Sequence, residues 1–312
     1  MKYSVIIPVF NSEKSIGVLI EELISFFNYE KLKLELILIN DGSTDSSWNI
    51  IKEKSEKFPH NILAIDLIYN HGQHIANYCG FKNSTGDYVI TMDDDLQNPV
   101  KEIKKLIVKS NEGYDLVIGR YIDKKHSLLR RLGSKIVRYI NSKVFRIPND
   151  LHLSNFRIIK KNLIDRICQL NISYPYIPGI LVHYSASNTN VIVEHMERKF
   201  GKSKYNSLKI AKLIFEILFN YSTFPLRVMT IIGFMVSVMS FFLGIFYLFK
   251  ALLFGVSVQG WTTIIVLLSF MSALILMALF MLGEYMIRVI RNLTHNQSYF
   301  IREIIKHKNE KI

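Results

Sequence analysis

The stretch Tyr88-Val89-Ile90-Thr91-Met92-Asp93-Asp94-Asp95-Leu96-Gln97-Asn98-Pro99 decides how the chain is read. Its β-branched apolar start has the pattern of a buried strand, closed by three carboxylates, an amide and a proline. In an extended segment alternate side chains share a face, so Asp93, Asp95 and Gln97 are expected to point one way and Asp94 the other. Three oxygen donors at a strand end suit a hard divalent cation that takes phosphate oxygens to complete its shell. An acidic triplet is more often a solvated turn. Here the buried strand before it and its place at the C-terminal end, where open α/β sheets bind ligands, favour a site.

Upstream, Tyr3 to Val9 reads as a strand closed by Pro8, with Asn11 and Ser12 as the start signal of a helix running through Leu23 to Phe27. Leu34 to Ile39 is a second buried strand ending in Asn40-Asp41-Gly42-Ser43-Thr44-Asp45. Asp41 stands where a ribose or base could be held, or where a loop carboxylate merely satisfies its own turn. Ser43, Thr44 or Asp45 caps the next helix, and capping alone accounts for Asp45. Ile62 to Ile68, the opening stretch and Asp115 to Arg120 supply further strands between helical segments. Strands alternating with helices over residues 3–120 predict an α/β fold with a mostly parallel sheet flanked by helices. No G-x-G-x-x-G follows the first strand, which removes the main support for a dinucleotide site.

The chain of 312 residues is 49% hydrophobic and 21% charged, with a formal net charge of +13. Mean hydropathy is +0.19 and the pI about 9.5. No zinc-finger spacing, RNA-binding signature or arginine-rich tract directs that charge to nucleic acid, which leaves membrane surfaces and phosphorylated substrates. Cys79 and Cys168 fall in apolar helical patterns and read as core residues. The chain opens directly into a strand, with no charged and apolar leader, so the first domain is expected in the cytoplasm.

Residues 120–161 carry many cations, among them Arg120, Arg131 and Arg157, and Asp150 is the one acid between Asp123 and Asp165. A basic, glycine-containing loop, Arg198-Lys199-Phe200-Gly201-Lys202-Ser203-Lys204-Tyr205, precedes an amphipathic segment with Ile210, Leu213, Ile214, Ile217 and Leu218 on one face. Ile231–Phe249 and Thr262–Gly283 contain no charged residue. Each is long enough to span a hydrocarbon core of roughly 30 Å. Lys209, Lys212 and Arg227 lie before them, Arg288, Arg291 and Arg302 after, and the link between them has no Lys or Arg. By the positive-inside rule both ends are cytoplasmic. The expected organisation is a catalytic domain over 1–205, an amphipathic juxtamembrane helix over 206–226, a transmembrane hairpin over 227–288 (helices at about 228–252 and 262–286) and a cytoplasmic tail over 289–312, which returns to that domain or to the membrane surface.

Four motifs together resemble the family 2 glycosyltransferases of GT-A fold: Val5 to Asn11, Asn40 to Asp45, Asp93 to Pro99, and Arg198 to Tyr205. More narrowly the chain resembles the polyprenyl-phosphate glycosyltransferases, the group that includes dolichyl-phosphate mannose synthase and bactoprenol glucosyltransferase. Gly72-Gln73-His74, Phe200 to Tyr205 and Leu282-Gly283-Glu284-Tyr285 look closest to undecaprenyl-phosphate aminoarabinose transferases. The resemblance implies inverting transfer of a sugar from a nucleotide donor, UDP-linked by preference, to undecaprenyl phosphate at the inner membrane, with tetramers often formed. It implies that Pro8 and Asp41 border the nucleoside, and that Asp93, Asp95 and Gln97 hold Mg²⁺ or Mn²⁺ on the donor diphosphate with Asp94 beside them. Arg120, Arg131 and Ser134 would contact the lipid phosphate, and Arg198 and Lys204 the donor. Asp95, Arg131 and Asp150 would form the catalytic set, Asp150 matching a downstream acid on which activity depends. Ser12 replaces a usual Glu, Asp94 turns Asp-x-Asp into a triple, and Asn155 stands where Gly is common. A processive polysaccharide synthase is the rival enzyme, but neither Trp48 nor Trp261 sits in its Gln-x-x-Arg-Trp motif. A non-catalytic membrane scaffold would not need to keep the acidic cluster.

Overall fold

The computed structural model describes residues 1–121, 128–170, 172, 175–196, 214–215, 217–219, 221–222, 224–254, 260–293 and 299–306, with the backbone alone over 128–136 and at parts of the two longest helices. The chain divides into two compact units, Met1–Ile210 with His295–Ile312, and Ala211–Thr294.

The first unit is built on one eight-stranded sheet in the order β7-β5-β6-β4-β1-β2-β3-β8. Its strands are β1 (Lys2–Val9), β2 (Lys33–Asn40), β3 (Ile62–Leu67), β4 (Tyr88–Thr91), β5 (Leu116–Tyr121), β6 (Arg157–Lys160), β7 (Asn188–Val193) and β8 (Ile301–Lys306). Four of the seven pairings are parallel, including the central β3-β2-β1-β4 block, and those of β6 and β8 are antiparallel. Near-continuous burial of β1, β2 and β3 is what helices on both faces of a parallel sheet require. Those helices are α1 (Ile16–Tyr29), α2 (Ser47–Lys57), α3 (Gln73–Asn83), α4 (Ile103–Ser110), α5 (Leu128–Phe145), α6 (Lys161–Gln169) and α7 (Ile177–Tyr184). In α1 the residues Ile16, Leu19, Ile20, Leu23 and Phe27 are buried while Glu21 and Glu22 face water, which is the 3.6-residue period at work.

Pro8 stands in the middle of this sheet because its neighbour is short. The last β1–β4 pair is Ile6↔Thr91, so the missing N–H of Pro8 falls where β4 has already ended. Helix α3 packs on β1 closely enough that only glycine fits at position 80. A Cβ there would lie 2.4 Å from Ile6 Cγ2. Gly80→Ala is expected to cost about 1–3 kcal/mol by overpacking, read as a lower denaturant midpoint at unchanged slope.

Two sequence readings are corrected. Helix α1 begins at Ile16, after a turn in which the backbone N–H groups of Ser15 and Ile16 donate to Ser12 O, so Asn11 and Ser12 belong to the preceding loop. Asn11 adopts φ 54° there. Strand β4 stops at Thr91, so the acids lie in a bent loop rather than an extended segment, and Leu96 at φ 59° turns it.

The second unit contains α8 (Phe224–Phe254) and α9 (Trp261–Leu293). Among the described residues one window, Phe270–Ile287 in α9, is long and apolar enough to cross a membrane, with a mean hydropathy of 1.9; in α8 the apolar stretch is Phe224–Val236. Tyr285 Oη donates to Ser222 O at 3.0 Å and its ring packs on Phe219. Most of the amphipathic segment 206–226 lies outside the described residues.

Candidate active site

Strands β1, β2 and β4 run parallel, so their C-terminal ends share one edge. β1 is the switch point, with β2 and β3 to one side and β4 to the other, where open α/β sheets leave a crevice. Three loops meet at this edge, and their side chains hold them together.

Asp41 follows β2 and is 2% exposed. Its two carboxylate oxygens accept the backbone N–H groups of His71 and Gly72, each at 2.8 Å. Burial raises its pKa, against the lowering by those two N–H donors. Gly42 supplies the turn at φ 65°, and a Cβ there would meet Asn70 N at 2.7 Å. The Asp41 carboxylate thus shapes the 70–72 turn directly. Asp45 accepts from Ser47 N at 3.0 Å, satisfying the start of α2, and from Glu13 N at 3.1 Å. Asn11 Oδ1 accepts from Thr44 N at 2.8 Å, so the β1 and β2 loops are one assembly.

The three acids diverge. Asp94 turns to the β1 loop, where its Oδ2 accepts from Phe10 N at 3.1 Å and from Ser12 Oγ. Burial pushes its pKa up to about 6 against those two donors. Asp93 Oδ1 accepts from Asn155 Nδ2 at 2.8 Å and from Gln73 Nε2. Burial raises its pKa, and the charge of Asp95 adds to that. Asp95 accepts from Gln97 N at 3.1 Å. Gln97 Nε2 donates to Met196 O at 3.2 Å and lies 3.3 Å from His195 Nε2, which commits the amide nitrogen and leaves Oε1 as the free acceptor end. No three His, Cys, Asp or Glu side chains gather as a metal centre among the described residues.

The other sequence-derived candidates are dispersed. Pro8 is buried within β1. Arg120 is exposed near the end of β5, and Asp150 is exposed in the turn between α5 and β6. Arg131 and Ser134 lie in α5 where only the backbone is described, and Arg198 and Lys204 lie outside the described residues.

Two polar residues to which the motifs assign no role, Arg157 and His74, stand out in the structure. Arg157 is 1% exposed; its Nε donates to Thr91 Oγ1 at 3.0 Å and its Nη2 to Asn155 Oδ1 at 2.9 Å. His74, on α3, packs edge-on against Tyr176. Burial, with Arg157 nearby, lowers its pKa to about 4. A histidine whose folded pKa lies below its unfolded value of about 6.5 loses stability as pH falls between those values, because only the unfolded chain takes up the proton there. We expect about 2 kcal/mol of acid destabilisation between pH 6.5 and 4.5, flattened in His74→Phe, measured as melting temperature against pH.

This convergence of polar loops lies at the switch point of a mixed α/β sheet, the place where open α/β folds bind ligands. The chain belongs to glycosyl transferase family 2, whose family model matches residues 4–171. Within that family it is similar to two proteins named undecaprenyl-phosphate 4-deoxy-4-formamido-L-arabinose transferase. The one from Photorhabdus laumondii is 32% identical over 97% of this chain and 94% of its own length. The one from Proteus mirabilis has the same identity and coverage. Among solved structures, mannosyl-3-phosphoglycerate synthase from Rubrobacter xylanophilus shares the fold at TM-score 0.50 and 12% identity, over 70% of this chain and 72% of that one.

Proposed function

We propose that this glycosyltransferase moves a sugar, with inversion, from a nucleoside diphosphate donor to undecaprenyl phosphate at the membrane. The observation that carries the acceptor class is the extent of the relationship. It covers 97% of this chain and therefore includes α8 and α9, well beyond the family domain at 4–171. A family 2 enzyme for a soluble acceptor has no need of two helices of 31 and 33 residues with Phe234, Phe242, Leu276 and Phe280 all more than 60% exposed.

The topology supports a hairpin. β8 lies in the same sheet as β3, so the chain belongs to the first unit both before α8 and after α9. A single crossing would separate β8 from its partner strand, so α8 and α9 cross together or not at all. Both are long enough, at about 1.5 Å per residue, for a core of roughly 30 Å. The flanking Lys209, Lys212, Arg227, Arg288 and Arg291 support a cytoplasmic catalytic unit by the positive-inside rule.

At the site, Asp93, Asp95 and Gln97 Oε1 offer hard oxygen donors that suit Mg²⁺ or Mn²⁺, and such an ion neutralises charge on a diphosphate leaving group. Burial, with the charge of Asp95 beside it, raises the pKa of Asp93, and that is an electrostatic condition a dication relieves. Asp41 and the 70–72 turn border the nucleoside, with UDP the favoured donor. Arg120, Arg131 and Ser134 are assigned to the lipid phosphate, and Arg198 and Lys204 to the donor, on the motif resemblance alone. The acceptor phosphate is already anionic near neutral pH, so no strong general base is required. Asp150 accordingly orients a cation or the sugar, and catalysis rests on positioning and electrostatics. Incubating membranes containing the protein with labelled UDP-sugars and undecaprenyl phosphate should yield a lipid-extractable product. No such product with any nucleotide sugar would reject the reading.

A further inference from the structure

Behind Asp93 lies a hydrogen-bonded chain that reaches into the protein interior. Asn155 Nδ2 donates to Asp93 Oδ1 at 2.8 Å. Asn155 Oδ1 in turn accepts from Arg157 Nη2 at 2.9 Å and from Asn77 Nδ2 at 3.1 Å. Thr91, the last residue of β4, closes the group: its hydroxyl donates to Asn155 O at 2.5 Å and accepts from Arg157 Nε at 3.0 Å. Asn77 is 0% exposed and Arg157 1%.

The chemistry of this chain has one direction. A guanidinium is a donor and never an acceptor, so the face of the Asn155 amide turned to Arg157 must be its oxygen. The NH₂ group is thereby forced towards Asp93. Were the amide reversed, its oxygen would oppose a carboxylate oxygen, and its NH₂ would oppose both a cation and the Asn77 amide. Arg157 therefore sets the orientation of Asn155 without touching Asp93.

Burying a guanidinium is costly, and a buried cation is weak evidence of added stability. Among the described residues Arg157 has no carboxylate within ion-pair distance, and the acid whose charge acts on it most is Asp93, one amide away. Such an arrangement does little for the core. It keeps one particular carboxylate oxygen, Oδ1, occupied by the Asn155 amide and so restrains the rotation of the Asp93 carboxylate. Partners of this kind behind a metal ligand orient it and tune its affinity.

We propose that Asn155 and Arg157 are positioning residues, a relay from the buried end of β6 that aims Asp93 at the donor's cation. The proposal rests on the metal-diphosphate reading of the site given above. It deepens that reading by locating the affinity for the ion partly in residues that never contact it.

The test uses full-length protein in detergent and follows Mn²⁺ binding by electron paramagnetic resonance, alone and with UDP, alongside UDP binding in EDTA. Asn155→Ala is expected to weaken Mn²⁺ affinity about 10–100-fold with metal-free UDP affinity nearly unchanged, alongside a lower melting temperature because Arg157 Nη2 and Asn77 Nδ2 lose their buried acceptor. Arg157→Gln, which can accept as well as donate and so no longer dictates the amide orientation, should weaken it similarly. Arg157→Lys, again a donor-only cation, should recover most of the loss. Wild-type Mn²⁺ affinity in Asn155→Ala overturns the relay alone, whatever the Arg157 variants do. A wild-type protein that binds no Mn²⁺ in either condition overturns the metal reading and the relay with it.

Discussion

Asp95→Ala is expected to lower the rate of sugar transfer about 10³-fold, equivalent to about 4 kcal/mol of transition-state stabilisation. The expectation follows from how the three acids divide their work. Asp94 is spent on the β1 loop through Phe10 N and Ser12 Oγ, and Asp93 is held on one side by Asn155 and Gln73. Asp95 stands beside Gln97, whose backbone N–H it accepts within the same short turn. Losing that local bond costs about 1 kcal/mol of loop stability, far less than the loss of a ligand to the leaving group's cation. Initial rates with saturating lipid acceptor, together with melting temperature, separate the two contributions. Asp94→Asn keeps one acceptor oxygen, which suffices because Phe10 N and Ser12 Oγ share Oδ2, and transfer should fall by no more than about 10-fold since the part of Asp94 is to hold a loop. Equal losses at 94 and 95 would mean that the cluster acts as a structural turn, and undiminished transfer in Asp95→Ala would remove the metal role altogether.

Much of the fold could be read from local pattern. The period of α1, the buried β1, β2 and β3, and the acids after β4 each carry a signal within a dozen residues. The site was legible only to the level of which loops meet. An alternation argument parts Asp94 from its neighbours, yet the loop does so through a bend at Leu96, φ 59°, and leucine gives no warning of a left-handed backbone. Ser12 and Asp94 are 82 residues apart in sequence and Asn77 and Asn155 78 apart, so their pairing is a product of tertiary structure alone. Arg157 sits among many basic residues, and nothing in the sequence separates the one that is buried from those that are solvated. Asn155 attracted notice as a departure from family pattern, and its position beside Asp93 supplies a physical reason for an amide there.

Deleting residues 299–312 is expected to destabilise the first unit severely, although the deleted segment lies beyond α8 and α9 in the chain. The segment contributes β8, whose backbone pairs antiparallel with β3 from Leu63↔Lys306 to Leu67↔Ile301. Without it β3 becomes an open edge, with a row of unpaired N–H and C=O groups and a tendency to self-associate. The loss also reaches the interior. Asp66 is 0% exposed and its carboxylate is held by Asn40 Nδ2 at 2.6 Å and by Arg302 Nη1 at 3.1 Å. Arg302 is 58% exposed on its side chain, so the pair is worth less than a fully buried one, and Arg302→Met alone should cost about 2 kcal/mol. Removing the whole strand should cost about 5 kcal/mol, enough to lower the melting temperature by roughly 10–20 °C in a unit of this size. Asp66 lies one strand from the Asn40–Asp41 loop, so donor affinity should weaken before the protein unfolds. The same deletion tests the hairpin, because β8 can reach β3 only if α8 and α9 return the chain to its side of origin. Restoring residues 299–312 as a separate peptide should recover stability when added from the cytoplasmic face of oriented vesicles. Recovery from the opposite face would refute the topology.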